Sequence, residues 1–508
     1  MNSGTFTLSR SVFVSAACLA LAIVLGYLLA TPYSYTTLTA FTLFSLVVGF
    51  PLVVRWHYVL LICSWNALLN TFFLPGSPHL WTVMSCLSLF ISVLNRAIQG
   101  RSDYIHVRSL AVPLVLLAVV VLITAKLTGG FGGRALGAET WGAKRYLGVL
   151  GAIIGYFALT SQRIPAEKAT VYAGLFFLSG TTAALSNFVY AAGPQFYFLF
   201  PFLSTELAVG QAMSQDTLLR LPGIFLACMS AIYYMLMRYG IKGVLDLTRP
   251  WRFVLFLALF VFSLLGGYRS AVLLVLLLFG FQFYFEGLLK TRFLLVFLLA
   301  TVLTGAFLAT FANKMPLSVQ RSLSFLPIGV DQQVKNDAMS TLDWRFQIWK
   351  VVLPEVPKYL IFGKGYAYSG VDVYLTQEAM RRGLYQSYES TLIDGNYHSG
   401  PLTLIVPFGL PGLLLTVWFL VFALRVLYCN YRYGEQPLRL TNTFLIAYFL
   451  ERLVYFVVFY GQFDMDFFVF TGTVGLSLAI NGGVRQLGER EGPDLLPEAS
   501  DAAVPAAN

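Results

Sequence analysis

Three side chains that could hold a phosphate or move a proton lie beside long apolar runs or in the polar segment between two of them. Arg269 lies between two such runs, Arg345 lies in the polar segment that follows them, and His398 lies where that segment returns to apolar sequence. Guanidinium groups bind phosphate oxygens in a planar, bidentate way, and a histidine with a pKa of ~6.5 can take a proton from a hydroxyl at neutral pH. These residues predict phosphate and proton-transfer chemistry at one site.

Each of the three also has a structural interpretation. Arg269 could anchor its helix at a membrane surface, Arg345 could be a solvated loop arginine, and His398 could be an interfacial histidine bonded to a backbone carbonyl. Aromatic residues around Arg345 predict an amphipathic helix on the membrane surface. Pro407 and Gly409, with Pro401, Pro411 and Gly412 close by, predict a broken start for the helix after His398. Irregular backbone at membrane depth is tolerated only where it lines protein or a watery cavity.

Weaker candidates lie in the same polar segment. Gly363, Lys364 and Gly365 could form a turn whose amides and lysine cradle a phosphate, and Arg381 and Arg382 could bind an anion. We predict these five residues as substrate-binding. The alternatives are an ordinary turn for the first group and solvated side chains for the two arginines.

Charged residues also occur in the last two apolar runs. Glu451 and Arg452 are expected to pair with neighbouring residues or to face a pathway, because charges within a span are costly unless they are paired, and a structural ion-pair role is the prediction for them. Asp464 and Asp466 resemble the acidic pair that binds a divalent metal in some lipid-dependent sugar transferases, but two carboxylates make a weak motif. The sequence contains neither a nucleotide-binding GxxxxGK[ST] loop nor a zinc-ligand spacing of its five cysteines. We therefore predict no metal and no cofactor.

The composition shows what kind of chain must position these residues. Of 508 residues, 57% are hydrophobic and 11% are charged, whereas a soluble domain carries ~25% charged residues. This excludes a water-soluble enzyme. The net charge of +10 is assigned to loops and anionic lipid rather than to nucleic acid.

Fourteen apolar runs predict an all-α polytopic membrane protein of about 12–14 transmembrane helices with one large external, periplasmic-side loop. In chain order, the runs are 12–30, 36–54, 57–74, 80–94, 110–127, 146–160, 169–192, 221–239, 252–267, 270–287, 293–312, 401–427, 441–461 and 464–480.

Basic residues predict the orientation. With the N-terminus in the cytoplasm, the inner side receives eighteen basic residues and the short outer loops receive six, so both termini are predicted to be cytoplasmic. The predicted regions are N-terminal transmembrane helices (1–250), transmembrane helices carrying the outward arginine (251–312), the external loop (313–399), C-terminal transmembrane helices (400–483) and a disordered cytoplasmic tail (484–508).

The order of these features resembles the O-antigen ligase and O-antigen polymerase superfamily. An outward arginine is followed by a long external loop with Arg345 and Trp349, then by Pro354, a Gly-x-Gly and a loop-ending histidine before a glycine-containing helix. The resemblance covers residues 260–480. Two positions depart from the family pattern: Ser399 follows the histidine where Asn is common, and Tyr268 precedes the first arginine where Ser is common.

The resemblance implies a metal-independent membrane glycosyltransferase in the bacterial inner membrane, active in surface polysaccharide biosynthesis. It would transfer glycan from an undecaprenyl-diphosphate carrier to an acceptor hydroxyl at the outer face. In this family, Arg269 and Arg345 would hold the diphosphate and His398 would serve the acceptor. The acceptor is a glycan, a lipid or a protein, and other polysaccharide-assembly proteins are possible partners. Ligation and polymerisation both remain open, and the alternative class is a transporter or flippase of lipid-linked oligosaccharide.

Overall fold

The computed structural model describes most of the chain. The described residues are 34–100, 104–132, 138–212, 219–383, 392 and 395–486, together with residues 19, 22, 23 and 26. The predicted run 12–30 falls almost entirely outside them, as does the predicted tail from residue 487 onward. Most described residues are helical, which confirms the predicted all-α class. The described strands are β1 (Thr140–Trp141) and β2 (Tyr368–Ser369), which pair antiparallel with Thr140 opposite Ser369.

Seventeen α-helices of the described residues are used below. In chain order they are α1 (Tyr35–Ser64), α2 (Leu80–Gln99), α3 (Arg108–Leu127), α4 (Ala143–Leu159), α5 (Ala166–Leu178), α6 (Ala183–Ala192), α7 (Thr205–Ala212), α8 (Pro222–Val244), α9 (Trp251–Leu264), α10 (Arg269–Phe285), α11 (Arg292–Phe311), α12 (Leu317–Leu323), α13 (Gln332–Val352), α14 (Gly370–Arg381), α15 (Gly400–Tyr433), α16 (Arg439–Val454) and α17 (Phe463–Asn481).

Eight helical segments of the described residues are long and apolar enough to cross a membrane. They comprise α1, α2, α3, the continuous segment Ala166–Ala192, α8, α15, the segment Gln436–Phe459 and α17. Three shorter apolar helices begin at Trp251, Arg269 and Arg292. The polytopic membrane architecture is confirmed by these eight segments of the described part of the chain.

The predicted spans 36–54 and 57–74 are wrong as two helices. Residues 35–64 form the single helix α1, and residues 65–79 form a connection that pairs Leu69 with Leu203. The polar residues Arg55 and His57 lower the hydropathy without ending the helix. His57 is buried and its Nδ1 lies 2.8 Å from Ser88 Oγ of α2, so its polarity is satisfied within the bundle.

This correction removes one crossing from the predicted topology. The connections after α1 still alternate between the two sides of the membrane in the predicted order. The cytoplasmic position of both termini, which depended on an even number of crossings, stays a prediction.

The connections between helices gather at two ends of the bundle. At the first, called the site end, lie the connections after α1, α3, α6, α9, α11 and α16. Contacts there include the Asn70 amide with the Phe202 carbonyl at 2.8 Å and the Tyr366 amide with the Tyr146 hydroxyl at 2.7 Å. At the opposite end, the Ile105 amide donates to the Thr160 carbonyl at 2.9 Å.

Helix α15, which follows His398, is broken as predicted. Gly409 has φ +63° and ψ −164° inside it. Pro411 has no amide hydrogen, so the Pro407 carbonyl lacks its usual helical donor. The segment 360–365 supplies the missing partners: Gly365 N donates to Pro407 O at 3.0 Å, Lys364 N donates to Val406 O at 2.8 Å, and Leu410 N donates to Leu360 O at 2.7 Å. These hydrogen bonds attach the external segment to the interrupted part of α15.

Replacing Gly363 by alanine should destabilise the protein strongly. Its φ is +74°, and an added Cβ would overlap the Pro407 carbonyl. Left-handed strain and overpacking together should lower the free energy of unfolding by about 2–5 kcal/mol. Gly383→Ala is the matched control, since Gly383 has φ +69° with open space around it, and strain alone predicts about 1–2 kcal/mol. Thermal unfolding of the two purified variants measures the difference, and equal melting temperatures would contradict the close packing at Pro407.

Candidate functional site

A cavity of about 820 Å³ lies at the site end of the bundle. Its walls come from α8, α10, α12, α13, α16 and α17, and from the last residues of the external segment. Apolar side chains form most of the deeper wall, among them Phe225, Met229, Leu274, Phe468 and Val469. The predicted residues Arg269, Arg345 and His398 all line this cavity.

The cavity is rich in positive charge. Five arginines line it: Arg220, Arg269, Arg321, Arg345 and Arg452. Among its described lining residues, Asp466 is the only acidic one. Guanidinium groups crowded into a partly buried space repel one another, and an anion bound among them would relieve that repulsion. The charge distribution therefore suits an anionic ligand.

Arg269 is positioned by a tight turn between α9 and α10. Gly267 has φ +68°, which a glycine adopts without strain, and Tyr268 is the extended residue directly before the helix that begins at Arg269. Within the described part of the chain, Arg269 has no carboxylate within salt-bridge distance, and it is close enough to Arg321 and Arg345 to be repelled by both. The amino-terminal end of α10 adds partial positive charge at the same place.

Arg345 projects from α13, a helix that the sequence predicted around it. The helix buries Val334, Ala338, Ile348 and Val352. Arg345 Nη1 is 3.4 Å from the Phe459 carbonyl, and its guanidinium lies 5.7 Å from the centre of the Tyr460 ring. Its Nε is buried and has no hydrogen-bond partner among the described residues, and no described carboxylate pairs with it. The guanidinium thus keeps hydrogen-bonding capacity at the cavity.

His398 has a strained backbone and an enclosed ring. Its φ is +52°, a left-handed conformation that is uncommon for a residue with a side chain. The ring makes edge contacts with Trp344 and Tyr460, with centroid distances of 4.8 Å and 5.0 Å. Its Nδ1 is buried without a partner among the described residues. Burial, and to a lesser extent the nearby Arg345 charge, lower the pKa of His398 to about 4, so the ring is neutral at neutral pH.

Two further arginines tie the external segment to the turn before Arg269. Asp337 of α13 bridges Arg220, at 3.4 Å, and Arg321. The buried Arg321 also donates from Nη1 to the Gly267 carbonyl. Burial and the neighbouring Arg321 charge lower the pKa of Arg220. One carboxylate thus balances two cations, and the bridge holds α12 and α13 against the base of α10.

The predicted pairing with neighbouring residues holds for Arg452, while Glu451 has no described ion-pair partner. Arg452 faces the cavity, and its Nη2 lies 3.9 Å from Asp466 Oδ1. Glu451 is fully buried, and neither of its carboxylate oxygens has a hydrogen-bond partner among the described residues. Consecutive residues of a helix point in different directions, which separates the two side chains.

Asp464 and Asp466 are likewise directed to different partners. Asp464 pairs with Arg145 at 3.6 Å, whereas Asp466 faces Arg452. Positions two apart on a helix do not share a face. Within the described ranges, no group of three or more His, Cys, Asp or Glu residues is arranged to hold a metal ion.

The other predicted binding residues lie outside the cavity lining. The amides of Gly363, Lys364 and Gly365 all donate to backbone carbonyls, two of them in the broken helix α15, so they are occupied. Arg381 and Arg382 are largely exposed and pair with Glu378 at 2.9 Å and 2.7 Å.

Arg220, Arg321 and Arg452 are the cavity residues that sequence reasoning missed. Arg220 was counted only for orientation, Arg321 was not singled out within the external segment, and Arg452 was assigned to an ion pair. The available signal was position: Arg220 lies two residues before the helix-starting Pro222, and Arg452 lies near the carboxyl end of an apolar helix. In both cases the arginine lies close to the end of an apolar helix.

Fold and cavity together define the class: a polytopic all-α membrane protein with an arginine-rich cavity at one end of its helices. Residues 253–417 match the family model described as O-antigen ligase, and this match supports a likeness of that region to the O-antigen ligase and polymerase superfamily. The match confirms the resemblance found in the sequence and supports an O-antigen ligase-type, glycosyltransferase-like activity in general terms.

The matched region contains much of the cavity wall. Arg269, Arg321, Arg345 and His398 lie inside it. Three further lining residues lie outside the matched region in sequence: Arg220, Arg452 and Asp466. The packing of the helices brings them to the same cavity. A comparison with curated proteins found no match to this chain.

Proposed function

We propose that this protein transfers a glycan from a polyprenyl diphosphate, of the undecaprenyl type, to an acceptor hydroxyl at the outer face of a bacterial inner membrane. The observation that carries the proposal is the cavity itself. It brings Arg269 and Arg345, neither paired with a described carboxylate, together with a neutral, half-buried histidine at the ends of membrane helices. The family match to O-antigen ligase supports the same activity.

The donor diphosphate would bind at Arg269 and Arg345. As the bond between the anomeric carbon and the phosphate oxygen breaks, negative charge develops on the lipid diphosphate, which is the leaving group. Preorganised guanidinium groups in a water-poor site stabilise such charge by several kcal/mol. Arg321 and Arg220 would add to the positive potential while remaining bound to Asp337.

His398 would act on the acceptor. Its imidazole nitrogen takes the proton of the acceptor hydroxyl while that oxygen forms the new bond to the anomeric carbon. The proton then leaves the histidine for solvent. Because the ring is neutral, it is available as a base at neutral pH. The polar external segment would cover the glycan, and the apolar wall would receive the isoprenoid.

The sidedness is also a proposal. In the short connections of the described part, basic residues are more numerous at the end of the bundle opposite the cavity, and the long external segment 313–399 is not counted. This distribution supports a cytoplasmic position for the opposite end and an external position for the cavity. The residues at the opposite end include Arg96, Arg108, Arg163, Lys168, Arg238, Lys242, Arg249, Lys290, Arg292, Arg432, Arg439 and Arg485.

The pH dependence of kcat/KM should lack an inflection near the ordinary histidine pKa. The base form of His398 persists down to its pKa of about 4. Activity should therefore stay constant from pH ~8 to ~5 and fall only below, since kcat/KM reports groups of the free enzyme. The measurement is a rate profile in buffers of constant ionic strength. A fall centred near pH 6.5 would contradict an enclosed, neutral His398.

Product analysis tests the function directly. The purified protein in lipid nanodiscs is incubated with an undecaprenyl-diphosphate-linked repeat unit, with and without candidate acceptors, and with and without EDTA. A ladder of longer lipid-linked chains indicates a polymerase, and loss of the lipid-linked form onto another acceptor indicates a ligase. We expect EDTA to have no effect. Movement of intact lipid-linked glycan across the bilayer without any new glycosidic bond would instead support a flippase.

A further inference from the structure

A second part of the cavity differs in charge from the part around Arg269 and Arg345. We propose that Asp466 and Arg452 form a subsite for a neutral, hydroxyl-rich saccharide, which in the proposed function would be the sugar of the acceptor. The inference rests on that function for the ligand's role, but the subsite is argued from its own contacts.

Charge separates the two parts. Asp466 is the only acidic residue among the described lining residues. Its carboxylate repels a diphosphate and balances the charge of Arg452, whereas Arg269 and Arg345 have no described carboxylate partner. An anionic donor group is therefore favoured near Arg269 and Arg345, and an uncharged ligand is favoured near Asp466.

The Asp466–Arg452 pair is held in place but is not closed. Asp466 Oδ2 accepts a hydrogen bond from the Gln462 amide at 2.8 Å, which fixes the carboxylate. Its Oδ1 lies 3.9 Å from Arg452 Nη2, a distance too long for a hydrogen bond. Both side chains are partly exposed to the cavity, 16% for Asp466 and 21% for Arg452. A sugar hydroxyl, which donates and accepts at once, can bridge such a donor and acceptor.

Two tyrosines extend this pair toward His398. Residues Tyr455–Phe459 form a π-helical turn, and Tyr460 N donates to Tyr455 O at 3.0 Å. Residues five apart do not share a face in an α-helix, but the i→i+5 bond of a π-turn brings them into line. Tyr455 and Tyr460 consequently both line the cavity, with ring centroids 6.2 Å apart.

The position of Tyr460 connects the subsite to the proposed base. Its ring centroid lies 5.0 Å from that of His398. A saccharide lying on the tyrosine rings could present one hydroxyl to His398 and another to the Asp466–Arg452 pair. Tyrosine rings provide an apolar face with a polar edge, as a sugar ring requires. Asp466 and Arg452 are thus acceptor-binding residues rather than donor-binding ones.

Two probes test this division on the full-length protein in nanodiscs. The first is undecaprenyl diphosphate, whose Kd is measured by microscale thermophoresis. The second is a panel of methyl glycosides of glucose, galactose, mannose and N-acetylglucosamine, observed by saturation-transfer difference NMR. Asp466→Asn should reduce the glycoside signal about tenfold and leave the undecaprenyl diphosphate Kd within about twofold. Arg269→Gln should show the reverse pattern.

Asp464→Asn is the matched control. It makes the same chemical change two residues away, at a carboxylate that pairs with Arg145 outside the cavity lining, and it should leave glycoside binding unchanged. The subsite is overturned if Asp466→Asn keeps the glycoside signal, if no glycoside in the panel binds the wild-type protein, or if Asp466→Asn weakens undecaprenyl diphosphate as much as Arg269→Gln does. If the wild-type protein fails to bind undecaprenyl diphosphate while Asp466→Asn abolishes glycoside binding, the subsite stands and the proposed donor is wrong.

Discussion

Replacing His398 by alanine should reduce the rate of glycan transfer by about 10²–10⁴-fold, the usual contribution of a positioned general base. The reason is the placement of its ring, which lines the cavity with a buried Nδ1 that has no partner among the described residues. A methyl group at this position cannot accept the acceptor's proton. The measurement is the initial rate of product formation by the purified variant with a lipid-linked repeat unit.

Two further variants make the result specific. His106→Ala is the control, because His106 is exposed at the opposite end of the bundle, and it should retain the wild-type rate. His398→Asn removes the base while keeping a residue type that tolerates the left-handed φ of +52°, so it remains informative if the alanine variant folds poorly. Near wild-type activity of a folded His398→Asn protein would exclude His398 as the base.

Replacing Arg269 by lysine should reduce kcat/KM for the donor by about 10²-fold or more, although the charge is kept. Lysine carries a point charge and loses the planar fork that binds two phosphate oxygens. The reduction should also appear as weaker binding of undecaprenyl diphosphate, because Arg269 faces the cavity without a described carboxylate partner. Both quantities are measured on protein purified in the same lipid.

Arg292→Lys provides the matched control for this substitution. Arg292 is also the first residue of an apolar helix, but it is exposed at the opposite end of the bundle. If both arginines only anchored their helices at a membrane surface, both lysine variants would behave like the wild type. A wild-type rate for Arg269→Lys would therefore favour the anchoring role and remove Arg269 from the donor site.

The sequence alone was sufficient to predict the helical membrane class and the broken start of α15. Both depend on local properties. A long apolar run must satisfy its backbone internally in lipid, and Pro407, Gly409 and Pro411 disrupt a helix wherever it packs. Arg269 and His398 were found for a related reason, since each is a polar group at the boundary of an apolar run, and Arg345 was found from the aromatic residues around it in the polar segment.

Hydropathy predicted helix limits less reliably where a polar residue inside a helix forms a hydrogen bond to a neighbouring helix. Arg55 and His57 suggested a loop, yet they lie within α1, because His57 bonds to Ser88 of the neighbouring helix. A hydropathy profile records the cost of burying a polar group and not the partner that offsets it, so two spans were predicted where the structure has the single helix α1.

Only the tertiary structure decided which charged residues share the cavity. Arg220, Arg321 and Arg452 join it from three distant segments, and Asp464 and Asp466 separate to different partners. The amides of the Gly-x-Gly turn, which could have bound phosphate, instead complete the broken helix α15. Spacing along a chain specifies the face of a helix on which a side chain lies, whereas the group opposite that face is set by how the helices pack.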